Sequence, residues 1–172
     1  MNRVVVIFGA FVAASVLVAS ASSAGPSAGL SAQDLNYLQT SISGDRFEIT
    51  GGKLAVNKGT TAQIHALGER LMTDHSKSLQ ESLALAKANG VTAPQAPTPS
   101  MVWELNTVGA MTGKAFDKSY SSLEVKDHEQ DIEETTFEIK HGAKPEIKSS
   151  AKKELPILRM HLTLATKANR SA

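Results

Sequence analysis

The sequence predicts an all-α fold: a four-helix bundle with a long crossover between helices 2 and 3, preceded by a cleaved signal peptide. Three observations predict it. Apolar residues recur at helical spacing through four long segments, with no strand-like alternation of any length. Short turns join the first segment to the second and the third to the fourth, which makes each pair antiparallel neighbours. A Pro- and Ala-rich connector, Thr92 to Ser100, separates the two pairs.

The first 24 residues form a leader. Met1-Asn2-Arg3 supplies one positive charge, Val4 to Val18 is an uncharged apolar run, and Ala19-Ser20-Ala21 and Ser22-Ser23-Ala24 both suit a signal peptidase. The apolar core is short for a membrane span, which needs about 20 residues. Residues 25–30, beginning Gly25-Pro26-Ser27, read as a flexible segment, and residues 31–170 as the helical domain. The expected location is periplasmic or secreted, in a bacterium. Cysteine is absent, so there is neither a lipid-attachment residue nor a disulfide framework. Lys and Arg number 18 against 17 Asp and Glu, and Arg3 lies in the leader, so the remaining chain is balanced. That balance excludes the electrostatic footprint of a nucleic-acid binder. Nothing after the leader reads as a membrane-spanning helix or an outer-membrane barrel. A protein partner or self-association is left open.

Ser31 or Ala32 opens the first helix, which runs to about Lys58 and stops at Gly59; Leu35, Leu38, Ile42, Ile49 and Val56 form its apolar stripe. Thr60 or Thr61 caps the second, which ends at Asn89-Gly90. Within the crossover, Met101-Val102-Trp103 begins a short helical piece ending near Gly113. The third long helix starts between Lys114 and Asp117 and ends at His141-Gly142. Pro145 suits the first turn of the fourth, which continues to about Asn169. The third is acidic from Glu124 to Glu138, with Lys126 its one cation, and the stretch from Lys140 to Lys153 is rich in lysine. Complementary faces of two antiparallel helices account for this pattern, each exposed pair contributing roughly 0–1 kcal/mol.

Three histidines carry the functional hint. At about 100° per residue, Gly68, Leu71, Met72 and Leu79 lie close around His75 on its helix face. Val125, Ile132 and Ile139 bracket His128, with Glu124 one turn earlier. Ile157, Leu158, Leu164 and Ala165 surround His161, with Glu154 upstream and Pro156 between them, where a kink is expected. A buried imidazole is costly unless it is hydrogen-bonded or bound to something. Three of them aimed inward from different helices are the raw material of a metal site. Glu48 is the inward carboxylate candidate of the first helix, because its neighbours are mostly small. It lies about 100° from its stripe and about 7 Å off the level of His75 at 1.5 Å per residue. The candidate ligand set is therefore Glu48, His75, His128 and His161, around one transition-metal ion. Nitrogen with some oxygen suits Fe, Zn, Cu, Ni or Mn. The alternative is a non-enzymatic structural or interaction module, in which the histidines bond to carboxylates such as Glu124, Glu154 or Glu48 without metal. His65 and His141 read as ordinary surface or capping residues.

A family resemblance rests on an ordered set of short motifs. Phe47-Glu48-Ile49, Gly52-Lys53-Leu54-Ala55 and Thr73-Asp74-His75 come first, followed by Phe116-Asp117 with Tyr120 and then Lys126-Asp127-His128. Leu155-Pro156-x-Leu158-x-x-His161-Leu162 closes the set. Together they resemble the bacterial domain-of-unknown-function 4142 family, whose members are ferritin-like, exported and often labelled outer membrane proteins. The resemblance implies a ferritin-like four-helix bundle in which Glu48, His75, His128 and His161 occupy recurrent inward polar positions. It implies no activity. Tyr37 stands where the family usually has Phe. Carboxylate-bridged di-iron proteins use Glu-x-x-His, whereas Met72, Val125 and Leu158 precede these histidines by three. One ion with mostly nitrogen ligands is expected instead, in metal handling or in protection from oxidative or envelope stress. No cysteine nucleophile, phosphate loop, His-Glu-x-x-His or Gly-x-Ser-x-Gly occurs, so no catalytic residue is assigned.

Overall fold

A computed structural model of the chain describes residues 29–172; the leader and most of the 25–30 segment lie outside these residues. The described residues form five α-helices and no strand: α1 (Ala32–Lys58), α2 (Ala62–Ala88), α3 (Pro99–Gly109), α4 (Gly113–His141) and α5 (Pro145–Ser171). Among them, no helix is long and apolar enough to cross a membrane.

Local chemistry sets the boundaries. Ser31 caps α1 in a reciprocal box: its hydroxyl accepts from Asp34 N–H, and the Asp34 carboxylate accepts from Ser31 N–H. Thr61 caps α2 through Ile64 N–H. The α2 C-terminus closes on Gly90 at φ +68°, a left-handed conformation that glycine adopts without a Cβ penalty. The crossover helix begins two residues before its expected start, because Thr98 caps Met101 N–H and Pro99 fits the first turn. It also ends earlier, at Gly109, and Gly113 at φ +60° then opens α4. Pro156 lies inside α5, which is one helix from Pro145 to Ser171.

Helix α1 packs most closely on α2 and α4 on α5, with α2–α5 and α1–α4 contacts closing the set. At the α1–α2 crossing two glycines meet. A Cβ on Gly68 would come within 2.7 Å of both Gly52 O and Ala55 Cβ, so backbone lies against backbone there. Gly68→Ala is expected to lower stability by about 1–3 kcal/mol through overpacking, which a thermal melt reads directly.

The apolar core is split. Ala55, Ile64, Leu67, Leu71, Phe116 and Ala165 cluster toward one end. Tyr37, Leu38, Ile42, Ala86, Ile147 and Ala151 cluster toward the other. Buried polar residues lie among the same helices: Asp45 and Glu48 on α1, His75 on α2, Glu124 and His128 on α4, and His161 on α5. Such burial costs stability unless each group is paired.

The expected pairing of acidic α4 with the lysine-rich 140–153 stretch is not found. Among the described residues, the ion pairs within 4.0 Å are Arg70–Asp74 and four histidine–carboxylate pairs. Several α4 carboxylates turn inward instead, including Glu124 and Glu138. Exposed pairing gains too little to hold long lysine chains in place.

Candidate metal centre

Each histidine of this centre has an outer partner, two of them from another helix and one from the turn before it. Asp45 lies 14 residues before Gly59 and His75 lies 16 after it, so the α1–α2 turn brings them level. His75 Nδ1 and Asp45 Oδ1 are 2.9 Å apart, and an ionised Asp45 accepts the proton. His128 Nδ1–H donates to the Glu124 carbonyl one turn earlier, at 2.9 Å. His161 Nε2–H donates to Asp74 Oδ2 at 2.8 Å, and Arg70 holds the same oxygen at 2.5 Å. A backbone carbonyl has no proton to give, so the His128 lone pair must sit on Nε2. Asp74, held ionised by His161 and Arg70, likewise leaves the lone pair of His161 on Nδ1; His75 carries its lone pair on Nε2 when Asp45 is ionised, a form that burial opposes.

Those three nitrogens are the buried ring atoms with no hydrogen-bond partner in the protein. The rings stand edge-on or tilted to one another with centroids 5.1–5.8 Å apart. One nitrogen of each ring lies within 4.8 Å of the others, close enough to share a metal ion. All three side chains are buried, at 3% exposure for His75 and 0% for His128 and His161. An outer partner on one nitrogen, with the other nitrogen free, is how metal-ligating histidines are oriented.

Electrostatics favours the neutral, ligating form. Burial lowers His75 to about 4, against the pull of Asp127 and Asp74. Burial, then His75 and His161, lower His128 to about 3. Burial, then His75, lower His161 to about 4, with the Asp74 hydrogen bond opposing. Burial would raise Asp74, but His161 and Arg70 hold its carboxyl below the ordinary range.

On the Nδ1 side of His128 stands a group of carboxylates. Nδ1 is 3.7 Å from Glu124 Oε2 and 4.0 Å from Glu48 Oε1. One oxygen each of Glu48 and Asp127 lies within 4.8 Å of a His128 ring nitrogen and of each other. Burial, reinforced by Glu124 and Asp127, pushes Glu48 well above the usual carboxylate range. A small polar cavity of about 30 Å³ adjoins His75, lined also by Asp45, Ser78, Ser82, Asp131 and Glu154 among others. It has room for about one water molecule.

A model of the family described as "Domain of unknown function (DUF4142)" matches residues 19–168. The chain belongs to the DUF4142 family. No curated protein sequence matches it. Among solved structures, this DUF4142 chain is similar to a DUF305 fragment from Deinococcus radiodurans. The TM-score is 0.71 at 11% identity, covering 83% of this chain and 99% of that one, a likeness of fold alone.

Of the four residues singled out in the DUF4142 sequence, three converge: His75, His128 and His161. Glu48 is fully buried but joins Asp127 and His128 in the neighbouring group. The histidine partners differ from those expected. Asp45 and Asp74 hold His75 and His161, the Glu124 backbone holds His128, and Glu154 lines the cavity instead. Asp74 and Asp127 immediately precede a histidine, which was their one signal in the sequence. Asp45 carried a stronger one, its distance from Gly59. His65 is half-buried, and His141 is exposed with its ring 4.3 Å from that of Phe137, as surface positions.

Proposed function

We propose that this is an exported, ferritin-like four-helix-bundle protein that binds a transition-metal ion through His75 Nε2, His128 Nε2 and His161 Nδ1. Its role is metal handling, or protection of the cell envelope against oxidative stress. Export rests on the signal-peptide layout of residues 1–24. The bundle reading rests on four long helices, each packed on two others, with a crossover between α2 and α4.

One observation carries the metal reading: three buried lone pairs, on rings fixed by outer partners, lie together with no donor among them. Leaving a buried polar atom unpaired costs about 1–3 kcal/mol. Three such atoms therefore cost an amount comparable to a domain's whole net stability, about 5–15 kcal/mol. A metal-free hydrogen-bonded core would have to provide partners for them, and no side chain does so. Imidazole donors suit Zn, Cu or Fe, and the adjacent carboxylates extend the range to Mn.

The test is a competition titration with Zn²⁺ and a chromophoric chelator. Asp45→Asn and Asp74→Asn each weaken binding by about 10–100-fold, the usual effect of losing an outer partner. Affinity unchanged in both variants would remove the oriented-histidine site. The pH dependence follows from the same rings. Protons compete for a ligand only below its folded pKa, here about 4 for His75 and His161 and about 3 for His128. Metal is therefore retained from pH 7 down to about pH 5 and released as pH falls through about 4. Dialysis across this range reads it. Release near pH 6.5 would mean ordinary, solvated histidines.

A further inference from the structure

Two other buried carboxylates, Asp34 and Asp117, are satisfied largely by backbone N–H groups. Asp34 accepts from Ala143 N–H at 2.9 Å, Lys144 N–H at 3.0 Å and the Ser31 cap. Asp117 accepts from Thr60 N–H at 3.0 Å and from its hydroxyl at 2.5 Å. These residues tie helix ends together, and their oxygens have the donors that such a role requires.

Glu48, Glu124 and Asp127 are built differently. Both oxygens of Glu48, both of Glu124 and Oδ2 of Asp127 are buried without a hydrogen-bond donor. Among the described residues, no Lys or Arg lies within 4.0 Å of them. Three acidic groups side by side in a low-dielectric interior repel one another and lack hydration. The Tyr120 hydroxyl, on a side chain only 1% exposed, is likewise without a partner one helical turn from Glu124. Gly51 keeps the space open: a Cβ there would lie 3.3 Å from Glu124 Oε1 and 3.5 Å from Tyr120 Cε2. Asp127 is half-buried, so the group is not sealed from the surface.

We infer that Glu48, Glu124 and Asp127 form a second cation site, beside the three histidines, that takes an oxygen-preferring divalent ion such as Mn²⁺ or Fe²⁺. His128 stands between the two sites, its Nε2 on the histidine side and its Nδ1–H toward the carboxylates. The centre then holds two ions of different ligand chemistry, nitrogen-rich and oxygen-rich. The inference rests on the metal-centre reading only in that both sites adjoin His128.

Equilibrium dialysis of metal-free protein at pH 7 against Zn²⁺ and Mn²⁺ together tests it. The wild type is expected to hold two ions. The Glu48→Gln/Glu124→Gln variant keeps the zinc and loses the manganese, and the His75→Ala/His161→Ala variant does the reverse. One zinc ion in the wild type, unchanged in the glutamine variant, overturns the second site and leaves the histidine site standing. Manganese held in the wild type and lost in the glutamine variant, with no zinc bound in either, supports the carboxylate site and overturns the histidine one. No ion in the wild type overturns both. Electron paramagnetic resonance of zinc-loaded wild type with one equivalent of Mn²⁺ needs no variant. An immobilised manganese signal supports the site, and the free aqueous signal overturns it.

Discussion

Zinc at about 100 times its dissociation constant is expected to stabilise the folded chain by roughly 2.7 kcal/mol. For a domain of this size that raises the melting midpoint by roughly 5–11 °C. His128→Ala abolishes the rise. The three ring centroids lie 5.1–5.8 Å apart in a triangle, with His128 edge-on to both of the others, so removing it takes away one of its three corners. The substitution also leaves a cavity, and the metal-free variant melts lower than the metal-free wild type. The informative quantity is the difference between melts with and without zinc for each protein. An equal zinc-induced rise in the variant would place the ion elsewhere.

Replacing Glu124 by Gln is expected to act in the opposite direction on the metal-free protein. Burial pushes the Glu124 carboxyl from 4.5 up to about 8; the neighbouring Glu48 and Tyr120 side chains work against the rise, while Asp127 adds to it. A carboxyl raised in the folded state contributes its full stability below the ordinary value and loses it as pH rises through the folded value. The metal-free wild type therefore weakens between about pH 4.5 and 8. Glutamine keeps the shape and removes the charge. At pH 8 the variant should be more stable by about 1–4 kcal/mol, in line with other buried charges replaced by neutral groups. At pH 4.5 the two should be nearly equal. Denaturant melts at both pH values decide it, and a variant less stable at pH 8 would mean that the carboxylate is well paired.

The helix boundaries were legible because capping chemistry is local. Ser31, Thr61, Gly90, Gly142 and Pro145 each mark an end with no knowledge of the tertiary structure. The histidines were legible because each interrupts an apolar stripe. Helix α1 was harder. Its inward face is polar and small, running through Gly44, Asp45, Glu48, Gly51 and Gly52. The stripe through Leu35, Leu38, Ile42, Ile49 and Val56 is buried at Leu38 and Ile42 but partly exposed at the other three, and it leaves Glu48 off-axis when it is fully buried. The 7 Å level mismatch of Glu48 against His75 was physically meaningful. Asp45, one turn earlier, is the residue that meets His75. The carboxylate group escaped because Asp127 reads as one of many charges on an acidic helix. Only packing separates those that face inward from those that face water.

Elemental analysis tests the central claim most directly. The protein would be purified without a metal-affinity tag, beside the His75→Ala/His128→Ala/His161→Ala variant. At least one full equivalent of a transition metal is expected in the wild type, and at least one equivalent less in the variant. No metal in either protein, even after Fe, Zn, Cu and Mn are added back, would contradict the claim and leave the buried histidines as a structural network.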